Sequence, residues 1–111
     1  MQKQYAIGID LGGTNLRVAL VSEDGSVVKK TKVPSIEHLE EALLNSIAEV
    51  FTDGVMGIGI GVAGLIDRKN GIVTVSPNLP AIEGMNIVSS VKERFGVPVF
   101  IENDANVAAL G

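Results

Sequence analysis

The chain contains no cysteine and no tryptophan, and only one histidine, one tyrosine and three phenylalanines in 111 residues. Without cysteine it can build neither a disulfide framework nor a thiolate metal site. The single histidine, His38, lies between Glu37 and Leu39 with Glu40 close by. A solvent-facing position is expected there, and no triad or histidine metal site can be assembled around it. Positive charge is scarce as well: 9 Lys and Arg against 13 Asp and Glu leave a formal charge of -4. That balance argues against a nucleic-acid partner, because phosphate contacts need clustered cations. The one basic cluster, Lys29, Lys30 and Lys32, reads as a solvated strand edge that discourages sheet-to-sheet association. No apolar run approaches the roughly 18 residues of a membrane span, so no membrane partner is expected. Only MQKQ precedes the first predicted strand, so no secretory leader is expected, and a cytoplasmic location is expected by default.

What is present is a hydrophobic fraction of 46%, arranged with clear periodicity and enough for one domain with a real core. Residues 5–11 and 16–22 read as strands, and the turn Glu23-Asp24-Gly25-Ser26 leads to a third over roughly Val27 to Val33. Short links make these three an antiparallel meander. Pro34 ends the third strand, and Ser35 is placed to cap a helix with Ile36, Leu39, Leu43, Leu44, Ile47, Val50 and Phe51 on one face. VMGIGIGV is a buried strand. The stretch after it holds at most a short hairpin turned at Arg68-Lys69-Asn70-Gly71. Asn86 can cap a second helix bearing Ile87, Val88, Val91 and Phe95 inward, with Gly96 as its left-handed terminator. VPVFIE is the next strand and NDANVAALG begins a third helix. The order βββ-α-β-α-β-α predicts an α/β domain with a mixed five-stranded sheet covered on both faces. Right-handed crossovers then bring three polar loops to one rim: Asp10 to Asn15, Gly61 to Asp67, and Glu102 to Asn106.

Each loop has a chemical reading and a plainer one. Gly12-Gly13-Thr14-Asn15 offers bare backbone N–H groups and side-chain donors in a concavity that suits a phosphate. Asp10 at the strand end is placed to hold a hydrated Mg²⁺ beside those oxygens. An ordinary hairpin turn would also use glycine and asparagine, but it does not account for the acid and the threonine. In the second loop, Gly59-Ile60-Gly61-Val62-Ala63-Gly64 matches the glycine spacing of a dinucleotide fold. That fingerprint needs a helix to open at once, whereas Leu65-Ile66-Asp67 leads into a charged turn, so a nicotinamide cofactor is rejected. Gly57, Gly59 and Gly61 are expected to permit close helix packing, and Gly64 to let a ligand approach. In the third loop, Asn103 and Asp104 stand at a strand end ahead of a helix N-terminus. The helix end favours an ionised carboxylate, which suits Asp104 to orient a hydroxyl and take its proton. Simple N-capping is the alternative. Asn78, in SPNLP, either reaches the same rim or stabilises its own loop.

Taken in order and spacing, GIDLGGTNLRVAL, GIGIGVAGLIDRKNGIV, SPNLP and ENDANVAALG resemble the amino-terminal lobe of the ROK sugar kinases, the repressor/open-reading-frame/kinase group that includes bacterial glucokinases. The resemblance runs through essentially the whole chain. It implies a ribonuclease H-like lobe of the actin/hexokinase-type ATPase fold, with ATP and sugar bound between this lobe and a carboxyl-terminal one that lies outside residues 1–111. It implies that Asp10 to Thr14 form the phosphate loop, with Asn15 and Arg17 as further nucleotide contacts. It further implies that Gly64, Asn78, Asn103 and Asp104 line the sugar site, with Asp104 as catalytic base. The expected reaction is transfer of the ATP γ-phosphoryl group to a hexose, glucose at its 6-hydroxyl, with Mg²⁺. Zinc is expected only in the other lobe.

Several departures matter. AIEGMNI after SPNLP lacks the tryptophan frequent in relatives, which leaves the sugar undetermined among hexoses. Residues 1–111 alone are expected to be inactive, since half of the cleft belongs to the other lobe. A non-catalytic sugar sensor of the same group is the alternative function, and self-association through Val107, Ala108 and Leu110 a further expectation.

Overall fold

The computed structural model describes residues 3–12, 15–34, 39–62, 65–67, 69, 72–75 and 86–103, with the side chains of 65–67, 72–75 and 103 excepted. Strand β1 (Tyr5–Leu11), β2 (Asn15–Ser22) and β3 (Val27–Pro34) precede helix α1 (Leu39–Val50). Then follow β4 (Val55–Val62), β5 (Leu65–Asp67), β6 (Ile72–Val75), helix α2 (Ile87–Phe95) and β7 (Val99–Asn103). The main sheet has the order β3-β2-β1-β4-β7. Its first three strands form the expected antiparallel meander, and β4 and β7 run parallel to β1. The short hairpin turned around Lys69 is also present, as the antiparallel pair β5-β6.

Alternation explains why these segments are strands with one dry face. Ile7, Ile9 and Leu11 of β1, Leu16, Val18 and Leu20 of β2, and Ile58, Ile60 and Val62 of β4 are all buried, and the residues between them are on the whole more open. Against that face lie Leu39, Leu43, Ile47 and Val50 of α1 and Ile87 and Val91 of α2, in a single apolar cluster. Leu44 is partly buried at its margin, and Phe51 stacks on Phe95 with ring centroids 5.0 Å apart. The helices also touch through Ser90, whose hydroxyl donates to Glu40 at 3.4 Å. Both described helices therefore cover one face. The third helix expected from Asp104 onward, and the Ser35 cap, lie outside the described residues.

Helix α2 has nine residues, too short to persist without its ends. The Asn86 side chain accepts from the Ser89 N–H at 3.0 Å. At the other end Gly96 adopts φ +69° and donates to Lys92 O at 2.8 Å, closing the last turn as the sequence anticipates. The β2–β3 turn is held by Asp24, to which the hydroxyls of Ser22 and Ser26 donate. The Ser26 N–H adds a bond at 2.9 Å. Hydrogen bonds from Ser22 first, and then Ser26, hold the exposed Asp24 carboxyl well below the usual carboxylate range.

Candidate functional site

The parallel register decides where the loops emerge. Leu11 of β1 pairs with Val62 of β4, and Val62 pairs with Asn103 of β7. Three strands thus finish side by side, and the chain leaves all three at one rim, the place where ligands bind in open α/β sheets. The tight turns at Gly25 and Gly54 occupy the opposite end, since Tyr5 pairs with Ser22 and with Val55.

At the rim, Gly12 N–H donates to Asn15 O at 3.1 Å, closing the reversal between β1 and β2. A Cβ at Gly12 would stand 3.3 Å from that same oxygen, tighter than ordinary contact, so a larger residue would press on the turn by a few tenths of an ångström. Asn15 opens β2 and is half-buried. Arg17 is exposed and stands opposite Asp10. Asp10, Gly12, Asn15 and Arg17 are thus gathered at one end of one hairpin. Gly13, Thr14, Gly64, Asn78 and Asp104 lie outside the described residues. Asn103 ends β7 at the rim.

Register also produces a row that sequence reasoning did not assign. On the face away from the helices, Lys32, Arg17, Asp10, Gly61 and Glu102 are successive partners across β3, β2, β1, β4 and β7. Gly61 puts no side chain between the two carboxylates, whose strands are about 10 Å apart at two inter-strand spacings. Period-two alternation shows that Glu102 shares a face with Phe100, but only the strand order reveals it level with Asp10. Among the described residues no group of three His, Cys, Asp or Glu gathers as a metal cage. An exposed Asp10 fits instead the sparse ligation of Mg²⁺, which keeps its waters and takes one or two carboxylates together with substrate phosphates.

A five-stranded sheet in the order 3-2-1-4-7, with a meander on one side and parallel strands on the other, is the ribonuclease H-like lobe of actin/hexokinase-type ATPases. The ROK family model matches residues 6–111, and the chain belongs to the ROK family. It is 44% identical over 117 residues to a glucokinase of Thermotoga maritima, covering 100% of this chain and 37% of that protein. It is 34% identical over 116 residues to a xylose repressor of Caldicellulosiruptor bescii, covering 95% of this chain and 29% of that protein. Among solved structures, a ROK family glucokinase from Streptomyces griseus in complex with glucose and AMPPNP superposes with a TM-score of 0.81 at 34% identity. That superposition covers 95% of this chain and 35% of the other. The chain spans about a third of the length of these relatives.

Proposed function

We propose that the chain is the nucleotide- and sugar-facing lobe of an ATP-dependent hexose kinase with glucose as acceptor. The observation that carries this reading is the common rim: Leu11, Val62 and Asn103 end level with one another, so a glycine turn suited to phosphate and the segment entering Asp104 leave the same edge. In the proposed mechanism the backbone from Gly12 to Thr14 cradles the departing polyphosphate, with Asn15 and Arg17 as further contacts. Asp10 would hold Mg²⁺, which when bound would supply charge neutralisation to the phosphate oxygens. Gly64, Asn78 and Asn103 orient the sugar, and Asp104 accepts the proton of the attacking hydroxyl. That oxygen forms its bond to the γ-phosphorus as the bond from phosphorus to the ADP oxygen breaks.

In the full-length protein, Asp104→Asn should lower kcat by at least about a hundredfold with a much smaller change in the KM for glucose. An unchanged kcat would remove Asp104 from the chemistry. Residues 1–111 alone should not turn over, because phosphoryl transfer depends on positioning from both sides of the cleft. The similarity to a xylose repressor supports a second reading, a sugar-sensing lobe without catalysis. Calorimetry that detected sugar binding alongside no ATP-dependent phosphorylation in the full-length protein would favour it.

A further inference from the structure

The two faces of the main sheet are unequally furnished. Helices α1 and α2 both pack on the face that carries Ile7, Ile9, Ile58 and Ile60. On the other face Lys30, Ala19, Gly8, Gly59 and Phe100 are successive partners across β3, β2, β1, β4 and β7. The middle of that row is bare: among the described residues, a Cβ at Gly8 or Gly59 would meet nothing within 4 Å. At its β7 end stands Phe100, 64% exposed. Lys30 and Phe100 are about 19 Å apart at four inter-strand steps of about 4.8 Å. The low floor between them has room for one helix, about 10–12 Å across. Backbone conformation does not demand these glycines, since the described glycines with positive φ are Gly25, Gly54 and Gly96. Glycine inside a strand weakens it and marks a place where another backbone comes close. An exposed aromatic ring beside it marks a contact surface.

The chain itself supplies a fitting occupant. Strand β7 ends at Asn103, at the rim, and Asp104-Ala105-Asn106-Val107-Ala108-Ala109-Leu110 follows. In a helix Ala105, Ala108 and Ala109 share one side at i, i+3 and i+4, a smooth side matched to a floor of glycine. From Asp104 to Leu110 such a helix rises about 9 Å, close to the 10 Å or so that β7 covers between Asn103 and Phe100. Leu110 then comes level with the aromatic ring. We propose that the Gly8-Gly59 floor and Phe100 seat the helix that starts at Asp104, and that Gly59 and Phe100 are positioning residues fixing the height of the Asp104 carboxylate at the rim. The positioning role rests on the reading of Asp104 as proton acceptor, whereas the seat rests on the sheet alone.

The test uses the full-length protein with Gly59→Val, Phe100→Ala and Phe100→Leu, each alone and combined with Asp104→Asn. On a bare face Gly59→Val would raise the melting temperature, because a β-branched residue replaces glycine where space is open. Under a seated helix it should lower it. In Gly59→Val and Phe100→Ala kcat should fall at least about tenfold, since a misplacement of about 1 Å can cost a hundredfold, while the KM for MgATP stays within about twofold. Phe100→Leu should recover most of kcat. In the Asp104→Asn background the same substitutions should change the residual turnover by less than about twofold, the non-additivity of residues that act through one another. A raised melting temperature in Gly59→Val, an unchanged kcat, or a tenfold loss that persists without the Asp104 carboxylate would overturn the proposal. So would a shift from dimer to monomer in sedimentation with kcat intact, which would give this face to a second copy. If Gly59→Val does not fold, Phe100→Ala against Phe100→Leu decides through the same comparison of kcat. Should Asp104→Asn by itself leave kcat unchanged, the proton-acceptor reading and the positioning role fall together, and the sign of the Gly59→Val melting shift still decides the seat.

Discussion

Two glycines with nearly the same backbone angle separate the effect of conformation from that of space. Gly25 and Gly54 have φ of +90° and +94°, a region that residues with a Cβ rarely adopt. A Cβ on Gly25 meets nothing within 4 Å, whereas one on Gly54 runs into the carbonyl oxygen of Lys3, beside the point where Tyr5 N–H donates to Gly54 O at 2.9 Å. Gly25→Ala should therefore cost about 1 kcal/mol of strain alone. Gly54→Ala should cost about 3 kcal/mol, because the start of β1 must move as well. Urea unfolding of both variants checks this, and equal costs would show that the Lys3 carbonyl yields freely. The turn at Gly25 was readable from local sequence; the Lys3 obstruction at Gly54 was not, because it joins segments some fifty residues apart.

Helix α2 shows how far local sequence carries at the scale of an element. Its polar cap, apolar face and glycine terminator are all encoded within a dozen residues, and all are found where the local pattern puts them. Asn86→Ala should lower stability by about 1 kcal/mol, measured by thermal or chemical denaturation, with Asn86→Asp avoiding most of that loss, since its side chain can accept the same bond. A cost near zero would mean that packing of Ile87 and Val91 alone holds the helix. The strands were equally legible from alternation, and β5-β6 from its turn. Less legible was the grouping of Lys29, Lys30 and Lys32. Three basic residues in a row of four look like one patch, yet period-two geometry sends Lys29 to the helix side and its neighbours to the other. The level placement of Asp10 and Glu102 was beyond local reading too, because pairing register is a property of strands that meet only after folding.

For the molecule as a whole, the distinctive property is an uneven sheet. One face is dry under α1 and α2, while on the other Gly8 and Gly59 leave open space and Phe100 is 64% exposed, with Met56 at 58%. Exposed apolar groups of this kind mark contact surfaces when they adjoin one another. Residues 1–111 in isolation should accordingly self-associate with rising concentration, and Phe100→Ser should shift sedimentation toward monomer at little cost in stability, within about 0.5 kcal/mol. A strict monomer for the unaltered chain at every concentration would refute this. The architecture and the common rim were foreseeable from element order. The chemistry at Thr14 and Asp104 remains a proposal that the rim supports.

The level ending of Leu11, Val62 and Asn103 limits how such a lobe can be retuned. A strand can slip against its neighbour only by whole residue pairs, since an odd step would turn its apolar side outward, and each permitted step is about 6.6 Å. Spacing between the opposed loops is thus quantised by the backbone, and any finer adjustment has to come from loop length and side-chain choice. Variation among relatives should be richest in the segments beyond the strand tips, with the strands themselves behaving as a fixed ruler.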